Sequence, residues 1–527
     1  MQVHRQSRDS WRHYHFAVVL LCVCAVLWSN SAAAVDVEKW KQFQVEYKNS
    51  TWNGNPFDLE FYGTFTHTAS GRTVQQLGFY AGNDTWKIYF MPDREGEWTF
   101  TTQSPDPELD SKSGSLTCVA SDLPGRLVAE GNRWKLEDSG KNDVPIMIPT
   151  REWFKSTETT SGIQNFIDWA KTTVGARVVG TTLVYFSHPQ EASPYIKGQE
   201  GDEFNIEMWD RLNSHYDALR DAGMGLYIMF YSDEAESPSN NGISAQSERE
   251  LRLLRYAVAR FSAYPIVMWD TGIDITEYRS NTWIDWFANW FNQNDPWQHP
   301  VGSRSGGGSG GKHPDNGTFW SDGASTLPNH SDVVSNWQNR NVPTAYTDRW
   351  REDGTRGGFD QAKIRRAVWE VGLVGGTALY ISGNDNGGYL TDTYATDFKA
   401  APQVGYASQF FSNNISDLGQ LSPHDELLVS GDGVLSAQPG YEYVAYLSSG
   451  NSTITVDLSN TVGTLNARWY NPRTGFFQNI GNVIGGGIQT FTTPDNQDWV
   501  LHLLSSSATP GAGDTLSPAG ITNLIAE

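Results

Sequence analysis

The sequence predicts a multidomain chain with a central (β/α)8 TIM barrel flanked by an amino-terminal and a carboxyl-terminal β-sandwich. Three observations predict it. Short β segments broken by glycine turns fill the chain from Val37 to about Val119. From Val144 apolar β-like runs alternate with longer helical patterns, the rhythm of parallel βα units, and after Tyr406 short strands return and end near Leu504. At 527 residues the chain exceeds what one hydrophobic core supports, so several domains are expected.

The first element, residues 1–34, reads as a secretory signal. Arg5, Arg8 and Arg12 precede the apolar run Ala17–Trp28, and Ser31-Ala32-Ala33-Ala34 is a small-residue cleavage site. That run is too short for a bilayer, which needs roughly 20 residues, and no later run is long enough. A secreted protein, extracellular or periplasmic, without a membrane partner is expected. Cys22 and Cys24 leave with the signal, so the mature chain keeps Cys118 alone and forms no intrachain disulfide. Between Leu116 and Val119, Cys118 is expected to be a buried strand residue.

Residues 36–121 form the first sandwich, with strands at Phe43–Tyr47, Leu59–Phe65, Thr73–Phe79, Trp86–Phe90 and Trp98–Thr102. Residues 126–404 form the barrel. Its eight candidate strands are Val144–Thr150, Ala176–Phe186, Met224–Tyr231, Pro265–Asp270, Pro300–Arg304, Asp332–Asn336, Val342–Asp348 and Gly376–Ser382. Apolar residues at three- and four-residue steps mark helices at Ile163–Val174, Glu207–Ala222, Ser247–Phe261, Thr282–Asn292 and Gln361–Val374. Trp283, Trp286 and Trp290 share one face of such a helix and are expected to pack on the barrel. Residues 405–505 form the second sandwich, and 506–527, rich in Ser, Ala, Pro and Gly, read as a flexible tail or linker stump.

The net charge is −22, and removal of residues 1–34 makes it more negative by two. Such a surface repels nucleic acid and anionic lipid, and no basic run offsets it, so no nucleic-acid partner is expected. A monomer is expected. No His-Glu-x-x-His, Cys pair or EF-hand loop occurs, and the glycine-rich Ser303–Gly311 lacks the Lys-Ser/Thr of a phosphate loop; no metal and no other cofactor are expected.

In such a barrel, reactive groups collect at the carboxyl ends of the strands. The fourth strand ends Trp269-Asp270-Thr271-Gly272-Ile273-Asp274 and is followed by Ile275-Thr276-Glu277, while the seventh ends Tyr346-Thr347-Asp348-Arg349. Two carboxyls from separate strands facing one cleft are what glycoside hydrolysis needs: one protonates the leaving oxygen, the other attacks the sugar or activates water. Asp270 is expected to cap a helix or to pair beneath the cleft. Candidate contacts at the mouth are Glu152 and Trp153 after strand one, His188 after strand two, Asp233 after strand three, Arg304 after strand five, Tyr346 and Arg349 at strand seven, and Asn384 and Asp385 after strand eight.

Three stretches carry a resemblance to known families. Asn55-Pro56-Phe57, Gly78-Phe79-Tyr80 and Phe90-Met91-Pro92 with Gly96-Glu97-Trp98-Thr99 resemble the sandwich domain called DUF5060, found ahead of barrels in polysaccharide-degrading enzymes. The middle resembles DUF4038-type barrels of glycosidase clan A. Ala467–Gly475 and Asp498–Leu501 resemble a carboxyl-terminal domain named for collagen binding, a name that implies no collagen here. The resemblance implies a glycoside hydrolase acting on a plant or algal polysaccharide or its oligosaccharides. By position it makes Asp274 the acid/base and Asp348 the nucleophile or water-activating base, with Glu277 as an alternative acid.

The clan uses Glu at both positions, and here both are Asp. Each is one methylene shorter, which withdraws its carboxylate by about 1.5 Å. Retaining enzymes hold the pair about 5–5.5 Å apart and inverting ones about 6.5–9.5 Å, so unless the backbone compensates the substitutions lean toward inversion. Two other classes fit the residues: a carbohydrate-binding protein on a degenerate barrel, and a polysaccharide lyase using Arg304 or Arg349 with Tyr346 or Tyr380.

Overall fold

The computed structural model describes residues 35–150, 159–232, 234–304, 312–322, 329–352, 359–375, 377–382 and 394–505. The signal segment and the tail lie outside them.

Eight strands form the central sheet: β1 (Ile146–Pro149), β2 (Val178–Val184), β3 (Gly225–Tyr231), β4 (Val267–Gly272), β5 (Val301–Gly302), β6 (Trp320–Asp322), β7 (Thr344–Arg351) and β8 (Thr377–Ser382). Their order is β5-β4-β3-β2-β1-β8-β7-β6, and all neighbours are parallel. This is the cyclic order of a barrel. The seam between β5 and β6 is bridged by Thr318, whose backbone N–H donates to Val301 O and whose hydroxyl accepts from Val301 N–H, each at 2.8 Å. Every residue of β2, β3 and β4 is buried, as continuous apolar runs require when both faces of a strand are covered.

The sixth strand differs from expectation. Asp332–Asn336 lies inside helix α5 (His330–Asn339), with Val333 buried and Val334 and Trp337 packed on the barrel, a helical spacing. The true β6 is three residues long, and its interior Ser321 is polar. The other helices lie where the periodicity puts them: α1 (Thr160–Trp169), α2 (Ile206–Asp221), α3 (Glu248–Phe261), α4 (Asn281–Asn294) and α6 (Gln361–Gly372). Side chains of Thr159, Asn205, Ser247, Ser280 and Asp360 cap their amino ends. Trp283 is buried, with Trp286 and Trp290 partly so, as expected of a core-facing stripe. A last helix, α7 (Ala401–Asn413), packs on α6, with Phe410 5.1 Å from Trp369. The expected boundary at 404 therefore falls inside a helix.

Before β1, a small sheet with strands Leu127–Glu130, Arg133–Leu136 and Asn142–Asp143 plugs the amino end of the barrel. Leu127, Trp134 and Leu136 pack there on Met147, Val178, Tyr227, Met268, Phe319 and Ala345.

Residues 35–119 form a seven-stranded sheet that turns over on itself. Strand Thr73–Tyr80 pairs first with Tyr62–His67 and then, from Gly78, with Thr85–Phe90; Phe65 and Phe90 stack at 3.9 Å in the core. Cys118 is a buried strand residue there, as expected, and burial pushes its thiol up to about 12. After the barrel, a six-stranded and a three-stranded sheet enclose a separate core that includes Trp469 and Trp499.

Both outer sheets dock on barrel helices. On the amino side, the Arg252 guanidinium of α3 donates to both oxygens of Asp58 at 2.6 and 2.8 Å, Tyr256 Oη donates to Tyr80 O, and buried Arg260 lies 4.3 Å over the Phe79 ring. On the carboxyl side, Arg365 of α6 donates to both oxygens of Asp498 at 2.5 and 3.0 Å, and Trp369 stacks over Tyr446.

Candidate active site

Since every barrel strand runs the same way, the ends of β4 and β7 open at one rim. At β4 the chain makes a sharp departure. Gly272 adopts φ +127°, and a Cβ there would lie 2.2 Å from Tyr231 O, so only glycine passes this point without a backbone shift. Ile273 N–H then bonds Tyr231 O at 2.9 Å. Asp274 follows in the left-handed region at φ +50°, a conformation that costs a residue with a Cβ roughly 1 kcal/mol although Asp tolerates it better than most. Asp274 precedes the tight turn Ile275–Glu277, half-buried, and its side chain makes no capping bond to that turn. Glu277 is exposed on the same turn.

Beneath this rim lies Asp270, wholly buried on β4. It caps no helix. Its Oδ1 accepts from the backbone N–H groups of Gly272 and Arg304, both at 2.9 Å, and its Oδ2 from Tyr227 Oη at 3.0 Å. Burial raises the Asp270 carboxyl to about 6 against the opposing effect of these donors and of the Arg304 charge, and burial beside Asp270 pushes the Tyr227 phenol up. Arg304 is itself only 6% exposed, with its guanidinium 3.9 Å from Met229 Sδ. It belongs to this layer under the mouth.

Tyr346, expected to contact substrate, is instead core. Strand alternation turns Ala345 and Thr347 into the barrel, where Thr347 Oγ1 bonds Ser321 Oγ at 2.7 Å, and turns Tyr346 outward toward α5. At 2% exposure its phenol is bonded by Asn336 and raised by burial. The backbone of Asp348 and Arg349 runs in β7 across a bulge, with Tyr346 opposite Leu379 and Trp350 opposite Ile381. Bulges of this kind re-aim strands next to active sites. The side chains of Asp348 and Arg349, and all of Glu152, Trp153, Asp233, Asn384 and Asp385, lie outside the described residues. His188 is half-buried past the end of β2, its ring stacked 4.4 Å from Tyr185.

The sequence reading missed Glu250. From the first turn of α3 it reaches into the wall behind the β4 loop, wholly buried, and accepts from Tyr231, Gln246, Arg279 and Trp283. Its burial and the Glu250 charge push the Tyr231 phenol up. The one local signal was Ser247-x-x-Glu250, the pattern of a helix capping box. Among the described residues, no group of three His, Cys, Asp or Glu is placed to hold a metal ion.

Comparison with known families bears on the two outer domains. Residues 36–105 match DUF5060, a domain of unknown function. Residues 430–504 match a family described as a candidate collagen-binding domain of a collagenase. Between and including them, the chain shares its fold with solved structures. A candidate glycoside hydrolase from Bacteroides vulgatus ATCC 8482 superposes with TM-score 0.72 at 18% identity, over 89% of this chain and 99% of the other. A family 5 glycoside hydrolase from the same organism gives TM-score 0.58 at 15% identity, over 73% and 94%. A third structure, named a glycoside hydrolase, gives 0.59 at 13%, over 74% and 100%. No curated protein matches the sequence. The region that matches DUF5060 precedes a barrel that shares its fold with these solved structures.

Proposed function

We propose that the chain is a secreted glycoside hydrolase acting on a plant or algal polysaccharide or its oligosaccharides. The observation that carries this reading is Asp274. A carboxylate just past the carboxyl end of β4 stands in a left-handed turn, two residues after a glycine whose place admits a Cβ only with a backbone shift, and its side chain does no capping for that turn. The fold shared with proteins named glycoside hydrolases supports the same reading. Asp274 acts as general acid/base, and Asp348, on β7 of the same rim, as nucleophile or water-activating base. Asp270, buried below and bonded to Tyr227 and Arg304, shapes the floor.

The test is hydrolysis of a panel of plant and algal polysaccharides by the purified protein, with Asp274→Asn and Asp348→Asn alongside. New reducing ends without ultraviolet absorbance are expected, lost in both variants. Unsaturated products would make the chain a lyase, an intact polymer that still binds would make it a carbohydrate-binding protein, and full activity in both variants would overturn the site. Proton NMR of the first anomer released then reads inversion or retention directly.

A further inference from the structure

The carboxylate of Glu250 collects donors from four residues on three stretches of chain. Tyr231 Oη and the Arg279 guanidinium donate to Oε1 at 3.0 and 2.9 Å; Gln246 N–H and the Trp283 indole N–H donate to Oε2 at 2.5 and 2.9 Å. Tyr231 ends β3, and Arg279 and Trp283 stand on either side of the entry to α4. One carboxylate therefore grips both flanks of the loop 272–283. The near flank is fixed because Ile273 N–H bonds Tyr231 O and Gly272 rests on that same carbonyl. The far flank is fixed because Arg279 N–H closes on Ile275 O at 2.8 Å while its guanidinium also donates to Ser239 Oγ at 2.6 Å. Asp274 sits between these grips.

A buried carboxylate–guanidinium pair, with side chains 0% and 2% exposed, contributes little net stability over an apolar pair of the same volume. What it supplies is directional: Glu250 sets the distance and angle between the end of β3 and the start of α4. We infer that Glu250 is the positioning residue of the loop that carries Asp274, acting through Tyr231 and Arg279 without touching the sugar. Its consequence for catalysis rests on the glycosidase reading; the clamp itself does not.

The experiment follows amide exchange and turnover in the full chain carrying Glu250→Gln. As a reference, Glu442→Gln alters another buried carboxylate, bonded to His502 in the carboxyl-terminal sheet. Amides of residues 272–283 are expected to exchange at least about tenfold faster in Glu250→Gln, with both outer sheets unchanged, and to keep parental rates in Glu442→Gln. On a substrate that the parent cleaves, kcat of Glu250→Gln falls on the order of a hundredfold with KM nearly constant, and Arg279→Lys shows a smaller loss of the same kind. Parental exchange at 272–283, or faster exchange throughout the molecule, overturns the clamp. A loosened loop with full kcat overturns the positioning role. A parent inert on every polysaccharide, whose loop nevertheless loosens on substitution, overturns the glycosidase reading and leaves the clamp standing.

Discussion

The two ends of the barrel are built from the same strands and spend their buried positions differently. At the amino end, Trp134 and Leu127 from the preceding hairpin close on Met147, Val178, Met268 and Phe319, and the interior is apolar. Toward the carboxyl end, the buried positions hold Asp270, Arg304 and the hydroxyl pairs Thr271–Ser303 and Ser321–Thr347, each pair at 2.7 Å. The amino end gains stability from contact area; the carboxyl end keeps polar atoms in fixed places, where each must be bonded or it costs 1 kcal/mol or more, as a rough figure. The division matches the rule that barrels are stabilised at one end and do chemistry at the other.

Substitutions at each end should separate the two roles. The largest effect is expected from Asp274→Asn, which should lower kcat/KM by about 10²–10⁴-fold while leaving the urea unfolding midpoint unchanged. A shifted midpoint with retained turnover would break the comparison. Trp134→Ala at the plug should do the reverse and remove about 3–5 kcal/mol of unfolding free energy, since the ring is wholly buried against Phe319, with kcat of the remaining folded protein unaltered.

Asp270 should reveal itself through pH. Its carboxyl titrates at about 6 in the folded chain because burial penalises its charge, and near 4 once unfolded. The folded state holds this proton more tightly, so the contribution is complete below about pH 4 and fades as pH rises through 6, a change on the order of 3 kcal/mol. Asp270→Asn should flatten that part of the curve when urea unfolding is compared at pH 4 and 7. The smallest effect belongs to the seam: Thr318→Val deprives the buried Val301 N–H of its acceptor and should cost about 1 kcal/mol by the same assay.

Much of the fold could be read from the residues because the long, fully buried strands and their capped helices repeat their signals over many positions. Residues 225–231 and 248–261 illustrate this. Where an element is three residues long, as in β6, pattern has nothing to average over, and the valines of α5 read as a strand in its place. Tyr346 was misread because one position along a strand exchanges the cleft for the core. Of the proposed site, the position of Asp274 on the rim was legible from its place after an apolar strand. Glu250 was not: its partners lie 19, 29 and 33 residues away on separate elements, and only folding brings their donors to one point. Its capping-box spacing even suggested a humbler role, yet its carboxylate accepts from Gln246 rather than turning back to Ser247.

Helix α3 turns two faces to two neighbours: Glu250 toward the rim loop, and Arg252, Tyr256 and Arg260 toward the amino-terminal sheet. Excising that sheet would take Asp58 from Arg252, leaving it Asp202 alone, among the described residues, as its ion-pair partner, and would lift Phe79 off Arg260, which is wholly enclosed in the intact chain. The amino-terminal sheet is then a buttress rather than a detachable accessory. Transplanting it onto another barrel would require this helix to travel with it.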